Sequence, residues 1–204
     1  TFVPKTGYAI LQTAFPEAMV LTDKNANFIS DITFSIVPNA IGIGMGMGQE
    51  PKTRRAFYRF LTTNTIPLVI DADGLNILAY NPKWLLQLKP KTILTPHLGE
   101  LERLIGKWNS DSNKFQKTAS LSKSLDCVVV MKGAPTYIFS DGKCFENTTG
   151  NPALATAGSG DTLTGIITSL LAQNYTPEDS AILGVYIHGL TADLGLPETG
   201  TQSF

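Results

Sequence analysis

The chain has 204 residues, enough to bury the core of one domain of ordinary size. With 43% hydrophobic and 16% charged residues and a net charge of -1, it has no broad positive field for nucleic acid or an anionic membrane. No apolar run reaches the length of a membrane span, and the opening TFVPKTGY does not read as a signal peptide.

In chain order, the first distinctive feature is GIGMGMG at 42–48. Its glycines fall at every second position, so it is not the GxGxxG dinucleotide fingerprint, and no GxxxxGK[ST] P-loop occurs anywhere. It reads either as a tight strand-to-loop turn or as bare backbone on which a substrate lies. KTRRAFYRFLTT then groups Ala56, Phe57, Phe60 and Leu61 on one helical face. IPLVIDA (66–72), KTILTP and DCVVVMKG read as buried strands, separated by HLGELERLI and SNKFQKTASLSKSL. The latter places Phe115, Ala119, Ser122 and Leu125 at helical spacing. Doubly apolar strands alternating with helices predict an α/β sheet covered on both faces. TYIFSDGKCFEN, with Asp141-Gly142 between two extended runs, predicts a β-hairpin near 136–147.

A helix is expected from about Asp161 to Gln173, and a last one after NYTPEDS. Thr176 caps that last helix, Pro177 occupies its first turn, and it runs to the neighbourhood of Asp193. Gly165, Gly184 and Gly189 lie inside these two helices, where each costs roughly 1 kcal/mol against Ala. Either a close approach or simple tolerance explains them. The two cysteines, Cys127 and Cys144, have no CxxC spacing. Cys127 reads as a buried free thiol, a reducing cytoplasm as the expected home, and structural zinc as excluded by ligand spacing.

The chemistry concentrates in NPALATAGSGDTLTGII, 151–167. Small residues lead into a helix whose first turn presents unpaired N–H groups and the positive end of the macrodipole, a site for an anion. Glycine removes the Cβ that would hold a phosphate away. Asp161 beside such a site either accepts a proton from a hydroxyl attacking phosphorus or merely complements the dipole.

The same stretch resembles the ribokinase-like superfamily. Taken with PLVIDADGLNIL, TILTPHLGELERL and VVVMKGAPTYIFSDG, it is similar in order and spacing to the ADP-dependent NAD(P)H-hydrate dehydratases. IGIGMGMG resembles that family's IGPGLG segment, with Met45 where proline is usual, a departure that bears on loop stiffness more than chemistry. The resemblance implies a three-layer sandwich around a mostly parallel central sheet. It implies repair of hydrated NADH or NADPH: ADP or ATP phosphorylates the ring hydroxyl, and elimination of phosphate restores the reduced ring.

Carried over residue by residue, Asp161 is the base, and the N–H groups of Gly158, Ser159 and Gly160 hold the phosphoryl group. Lys132, Gly133, Ala134, Thr136, Asn151, Ala155 and Thr156 join Gly158 and Gly160 around the nucleotide. Gly46, Gly48, Asp73, Asn76, His97, Gly99, Glu100 and Arg103 face the hydrated dinucleotide together with Asp161. Within DADGLN, Asp73 is favoured over Asp71, and Asn76 reads equally as a helix cap; His97 reads equally as a helix entry, and His188 as structural. Mg2+ accompanies the nucleotide, held largely by phosphates and water, with no protein ligands assigned. A homo-oligomer is implied, a tetramer being one option.

Against that family the chain starts inside VPKTGYAILQTAFPEAMV and stops at TGTQSF. The expectation is therefore one ribokinase-like domain over 1–204, cut at both ends, from a chain that in some members also carries an epimerase. Two other readings stay open: a vitamin or sugar kinase on the same fold, and an inactive nucleotide-binding fragment.

Overall fold

The computed structural model describes residues 1–199. It begins with a small unit in which β1 (Phe2–Val3) and β2 (Leu21–Thr22) pair in parallel around α1 (Gly7–Ala14). The main sheet follows: β3 (Ile41–Ile43), α2 (Pro51–Thr63), β4 (Leu68–Ile70), α3 (Ala72–Tyr80), β5 (Ile93–Leu94), α4 (Leu98–Ile105), α5 (Asp111–Leu125) and β6 (Val128–Met131). A hairpin of β7 (Thr136–Ser140) and β8 (Lys143–Asn147) comes next, and the helices α6 (Ser159–Ala172) and α7 (Pro177–Thr199) complete the fold. The six strands lie in the order β3-β4-β5-β6-β7-β8, the first four parallel, β7 antiparallel to β6, and β8 antiparallel to β7.

The short apolar strands are buried on both faces, and their period of two divides the core. Leu68 and Ile70 of β4, Leu94 of β5, and Val129 and Met131 of β6 pack on one side. There they meet Phe57, Phe60 and Leu61 of α2, Leu75 and Leu78 of α3, and Leu101 of α4. Val69, Ile93, Val128 and Val130 point the other way, onto Leu163, Ile167 and Leu171 of α6 and Ala181 and Val185 of α7. Three layers result, as expected. The α2 face is the one its sequence predicts, and in α5 the expected residues Phe115, Ala119 and Leu125 pack against the first cluster, with Ser122 buried.

Element ends differ from the sequence reading. The expected strand at 66–72 is paired only over Leu68–Ile70, because Asp71 caps α3 and Ala72 turns the chain at φ +47°. α6 begins at Ser159 rather than Asp161, with Gly158 at φ +85° serving as its cap residue. α7 continues past Asp193 to Thr199, since Gly195 does not interrupt it. The hairpin turn is as expected: Asp141 and Gly142 both have positive φ, +48° and +75°, which matches the twist of the flanking strands. Both cysteines are free, and burial, with the charge of Asp126, pushes the Cys127 thiol up to about 12. Among the described residues no helix is long and apolar enough to cross a membrane.

The three helical glycines divide. A Cβ at Gly184 would lie 2.6 Å from Ile167 Cγ1, and one at Gly189 would lie 2.7 Å from the Thr149 main-chain carbon; at Gly165 it would meet nothing within 4 Å. Close approach explains the first two and tolerance the third. Gly184→Ala is therefore expected to destabilise the fold by about 1–3 kcal/mol through overpacking. Gly165→Ala should be neutral or stabilising by up to about 1 kcal/mol. Urea unfolding of both variants checks this, and the reverse order would contradict the α6–α7 packing.

Candidate active site at the carboxyl edge of the sheet

Loops that leave the carboxyl ends of parallel strands are where open α/β sheets gather ligands. Main-chain bonds extend the pairing past the strands here, from Asp71 N–H to Ile43 O (3.0 Å), Thr95 N–H to Ile70 O (3.1 Å) and Lys132 N–H to Pro96 O (2.9 Å). Asp71, His97 and Lys132 are thereby set side by side at that edge.

Asp71 is 1% exposed. Its carboxylate accepts from Lys132 Nζ at 2.7 Å, Thr164 Oγ1 of α6 at 2.8 Å and Ala72 N–H at 2.9 Å. Burying a carboxylate is tolerable only with such partners. The ion pair also aims Lys132 at the first turn of α6: a Cβ at Gly160 would stand 3.4 Å from Lys132 Nζ and 3.8 Å from Asp71 Oδ2. Asp71 is the one acceptor Lys132 Nζ has among the described residues, and an ammonium has three protons to donate.

No side chain caps α6. Ser159 N–H returns to Thr156 O at 3.3 Å, so it is not one of the open donors expected there. Gly158, Gly160 and Asp161 keep N–H groups without a protein acceptor among the described residues. Ser159 contributes a hydroxyl instead, 3.2 Å from His188 Nε2 of α7. Asp161 is exposed in the same turn. The combination is an ammonium, several open N–H groups and one solvated carboxylate around a single helix start, which suits a phosphoryl group with a proton acceptor beside it.

The loop leading into that turn is fastened to α7. Asp193 accepts from Gly150 N–H at 2.8 Å and from Asn151 Nδ2 at 3.0 Å, and Thr149 Oγ1 donates to Tyr186 O at 2.9 Å. Asn151 also caps a 3-10 turn through Ala153 N–H, 3.0 Å. Its side chain is thus committed to the loop, where nucleotide contact was expected. Ala155 and Thr156 lie exposed on that loop. Across the edge, Gly133 and Ala134 are exposed, and Thr136 Oγ1 closes their turn by donating to Gly133 O at 2.9 Å.

Several residues expected to face the dinucleotide have other partners. Asp73, favoured over Asp71, spends both oxygens on the glycine run, accepting from Gly48 N–H and Gln49 Nε2, each at 2.9 Å. Gly44 makes that run a tight turn: a Cβ there would fall 1.9 Å from Asp71 O. Gly46 alone is open, with nothing near its Cβ position. Asn76 does not cap α3; Asp71 does, and Asn76 Oδ1 accepts from Arg103 Nη1 at 2.9 Å. His97 is a helix entry. Its Nδ1 accepts from the N–H groups of Gly99 (3.0 Å) and Glu100 (3.4 Å), while Glu100 Oε2 accepts from His97 N–H at 2.9 Å. This reciprocal capping leaves Glu100 buried, with no carboxylate turned to a ligand.

A cleft of about 410 Å³ lies elsewhere, between β8 and α7, lined by Phe145, Tyr175, Ile182 and Tyr186; none of the expected site residues lines it. Among the described residues, no group of three or more His, Cys, Asp or Glu could hold a metal ion. Sequence reasoning ranked Asp71 below Asp73 and passed over Thr164 and Asp193. Only Asp71 left a signal, as a carboxylate that directly ends an apolar strand.

Removing one partner of the buried pair should be costly. Asp71→Asn and Lys132→Met are each expected to destabilise by about 3 kcal/mol, the low end for buried pairs, since the Lys132 side chain is 20% exposed. The double variant should be markedly less destabilised than the sum. Additive losses in denaturant unfolding would show that the pair does not organise the edge.

Known proteins of similar sequence and fold place the chain in a family. The sequence profile of the NAD(P)H-hydrate dehydratase family matches residues 2–203. The ADP-dependent (S)-NAD(P)H-hydrate dehydratase of Bacillus subtilis is 38% identical over 164 residues, 78% of this chain and 56% of that one. A bifunctional NAD(P)H-hydrate repair enzyme of Moorella thermoacetica is 37% identical over 168 residues, 81% of this chain and 32% of that one. The chain thus spans less than two thirds of either relative. The crystal structure of the Bacillus subtilis ADP/ATP-dependent NAD(P)H-hydrate dehydratase, co-crystallised with ATP and Mg2+, superposes with a TM-score of 0.79 at 32% identity, over 99% of this chain and 73% of that one. The architecture is the ribokinase-like α/β fold, and the chain belongs to the NAD(P)H-hydrate dehydratase family.

Proposed function

We propose that this domain carries out nucleotide-dependent dehydration of hydrated NADH or NADPH, returning the reduced dinucleotide. The observation that carries the reading is the first turn of α6, where open N–H groups, the Lys132 ammonium and the Asp161 carboxylate meet without a capping side chain. Membership of the family and the ADP-dependent Bacillus subtilis relative support the substrate and ADP, and the ADP/ATP-dependent crystal structure supports ATP as the alternative.

In this reading the terminal phosphoryl group of the nucleotide lies on the N–H groups of Gly158, Gly160 and Asp161. Lys132 neutralises the charge spread over its oxygens. Catalysis of phosphoryl transfer is mainly positioning and electrostatic stabilisation, and these groups provide both. Asp161 takes the proton of the ring hydroxyl as its oxygen bonds to phosphorus, and the bond from phosphorus to the nucleotide's leaving oxygen breaks. The ring C–O bond then breaks, phosphate leaves with the electron pair, and loss of a proton from the adjacent carbon forms the double bond of the reduced ring. With no group of three or more His, Cys, Asp or Glu to hold a metal among the described residues, a divalent ion would travel on the nucleotide phosphates. Gly133, Ala134, Ala155 and Thr156 form the rim for the nucleotide, and Gly46, His97 and Arg103 the exposed side toward the dinucleotide.

Recovery of NADH absorbance from hydrated NADH, with ADP, ATP or neither, tests the proposal. The expected result is nucleotide-dependent recovery that Asp161→Asn slows by about two to four decades while nucleotide binding persists. Recovery untouched by the substitution overturns the role of Asp161. A stable phosphorylated product in place of NADH and phosphate would point instead to a small-molecule kinase, and no recovery at all would overturn the activity of this chain.

A further inference from the structure

The anion-binding turn holds one polar group whose direction its neighbours decide. Ser159 N–H is already bonded to Thr156 O, so only the hydroxyl of this residue can add to the turn. That hydroxyl has a single proton and lies 3.2 Å from His188 Nε2. If Nε2 is bare, it takes the proton, and Ser159 offers a phosphate nothing but lone pairs. If Nε2 carries a hydrogen, it donates to Ser159 Oγ and the hydroxyl proton is free to be donated to another acceptor.

We propose that His188 is a positioning residue of the phosphoryl site, in which Nε2–H donates to Ser159 Oγ and thereby turns the Ser159 hydroxyl outward as an additional donor to the bound phosphoryl group. The inference rests on the functional reading above and adds a residue to it. His188 is 9% exposed, and burial together with the charge of Lys132 holds its pKa below the ordinary histidine value, although hydrogen bonding at the Ser159 main chain works the other way. The ring is therefore neutral near pH 7 and carries one proton, whose place is the choice described. An anion at the turn selects the Nε2–H form, because only that form presents a donor to it.

The helix that bears His188 is suited to positioning. Gly189, its neighbour, packs directly on the Thr149 main chain, and Tyr186 O and Asp193 hold Thr149 and Gly150. The same helix α7 thus fixes the loop that enters the turn and also supplies the imidazole that orients its serine. A histidine that only filled space would need no particular tautomer.

The test combines two measurements on the full chain. The chain has two histidines, so 15N NMR of its imidazoles in the presence of ADP can be assigned with a His97→Gln variant. The expected state is His188 protonated at Nε2. Calorimetry with ADP should show about ten- to a hundredfold weaker binding for Ser159→Ala and for His188→Met, the range for one hydrogen bond to a charged group. The double variant should be no weaker than either single one, and His188→Gln, whose amide can donate from the same position, should stay within about twofold of the unsubstituted chain. A proton on Nδ1 in the ADP complex, additive losses, or a His188→Gln variant as weak as His188→Met would each overturn the proposal with the functional reading intact. Absence of ADP binding by the unsubstituted chain would overturn the reading, and this proposal with it.

Discussion

A carboxylate buried at the end of a strand constrains everything around it. Asp71 reaches its place because β4 stops at Ile70 and the chain turns at Ala72, and a charge placed there must be matched by nearby donors. The three that it recruits come from different parts of the chain: Lys132 from the loop after β6, Thr164 from α6, and the first N–H of α3. Its main-chain oxygen fixes a fourth element, since only a glycine at position 44 leaves it room. Four segments are thereby registered to one another at the carboxyl edge of the sheet.

That registration explains how a helix start without a cap can be maintained. The open N–H groups of α6 would ordinarily be satisfied by a side chain of the preceding loop. Here the loop's polar side chains are turned toward α7, with Asn151 on Asp193 and Thr149 on Tyr186, and the donors stay available. Lys132 adds a cation beside them without floating free, because Asp71 sets its direction. Asp161 remains exposed in the first turn, beside those donors. Preorganisation of this kind is what the proposed phosphoryl transfer demands.

The layers of the fold were legible in the sequence because they follow from periodicity. Phe57, Phe60 and Leu61 mark a helix face, and VVVM marks a strand buried on both sides. An anion site at the start of α6 was also legible, as glycines and small residues before an apolar helix, although the helix begins at Ser159 and no side chain caps it. Element ends were less so: β4 is cut short by the cap that Asp71 makes, not by any breaker residue. In DADG the two carboxylates look equivalent, and only the turn at Ala72 sends Asp71 inward and leaves Asp73 to hold the glycine run. Long-range polar pairs left no trace. Asp71 and Lys132 are 61 positions apart, Asp71 and Thr164 are 93 apart, and Ser159 and His188 are 29 apart, so no local pattern links them. His97 is a different case: following Pro96 it read as a helix entry as readily as a ligand, and in the structure its side chain caps α4.

The measurement that tests the central claim most directly is a crystal structure of the chain with ADP. Phosphoryl transfer at the uncapped helix start requires the terminal phosphate at the first turn of α6, within hydrogen-bonding distance of Lys132 Nζ and of the N–H groups of Gly160 and Asp161. A nucleotide seated elsewhere, for example in the cleft between β8 and α7, with that turn bare, would contradict it.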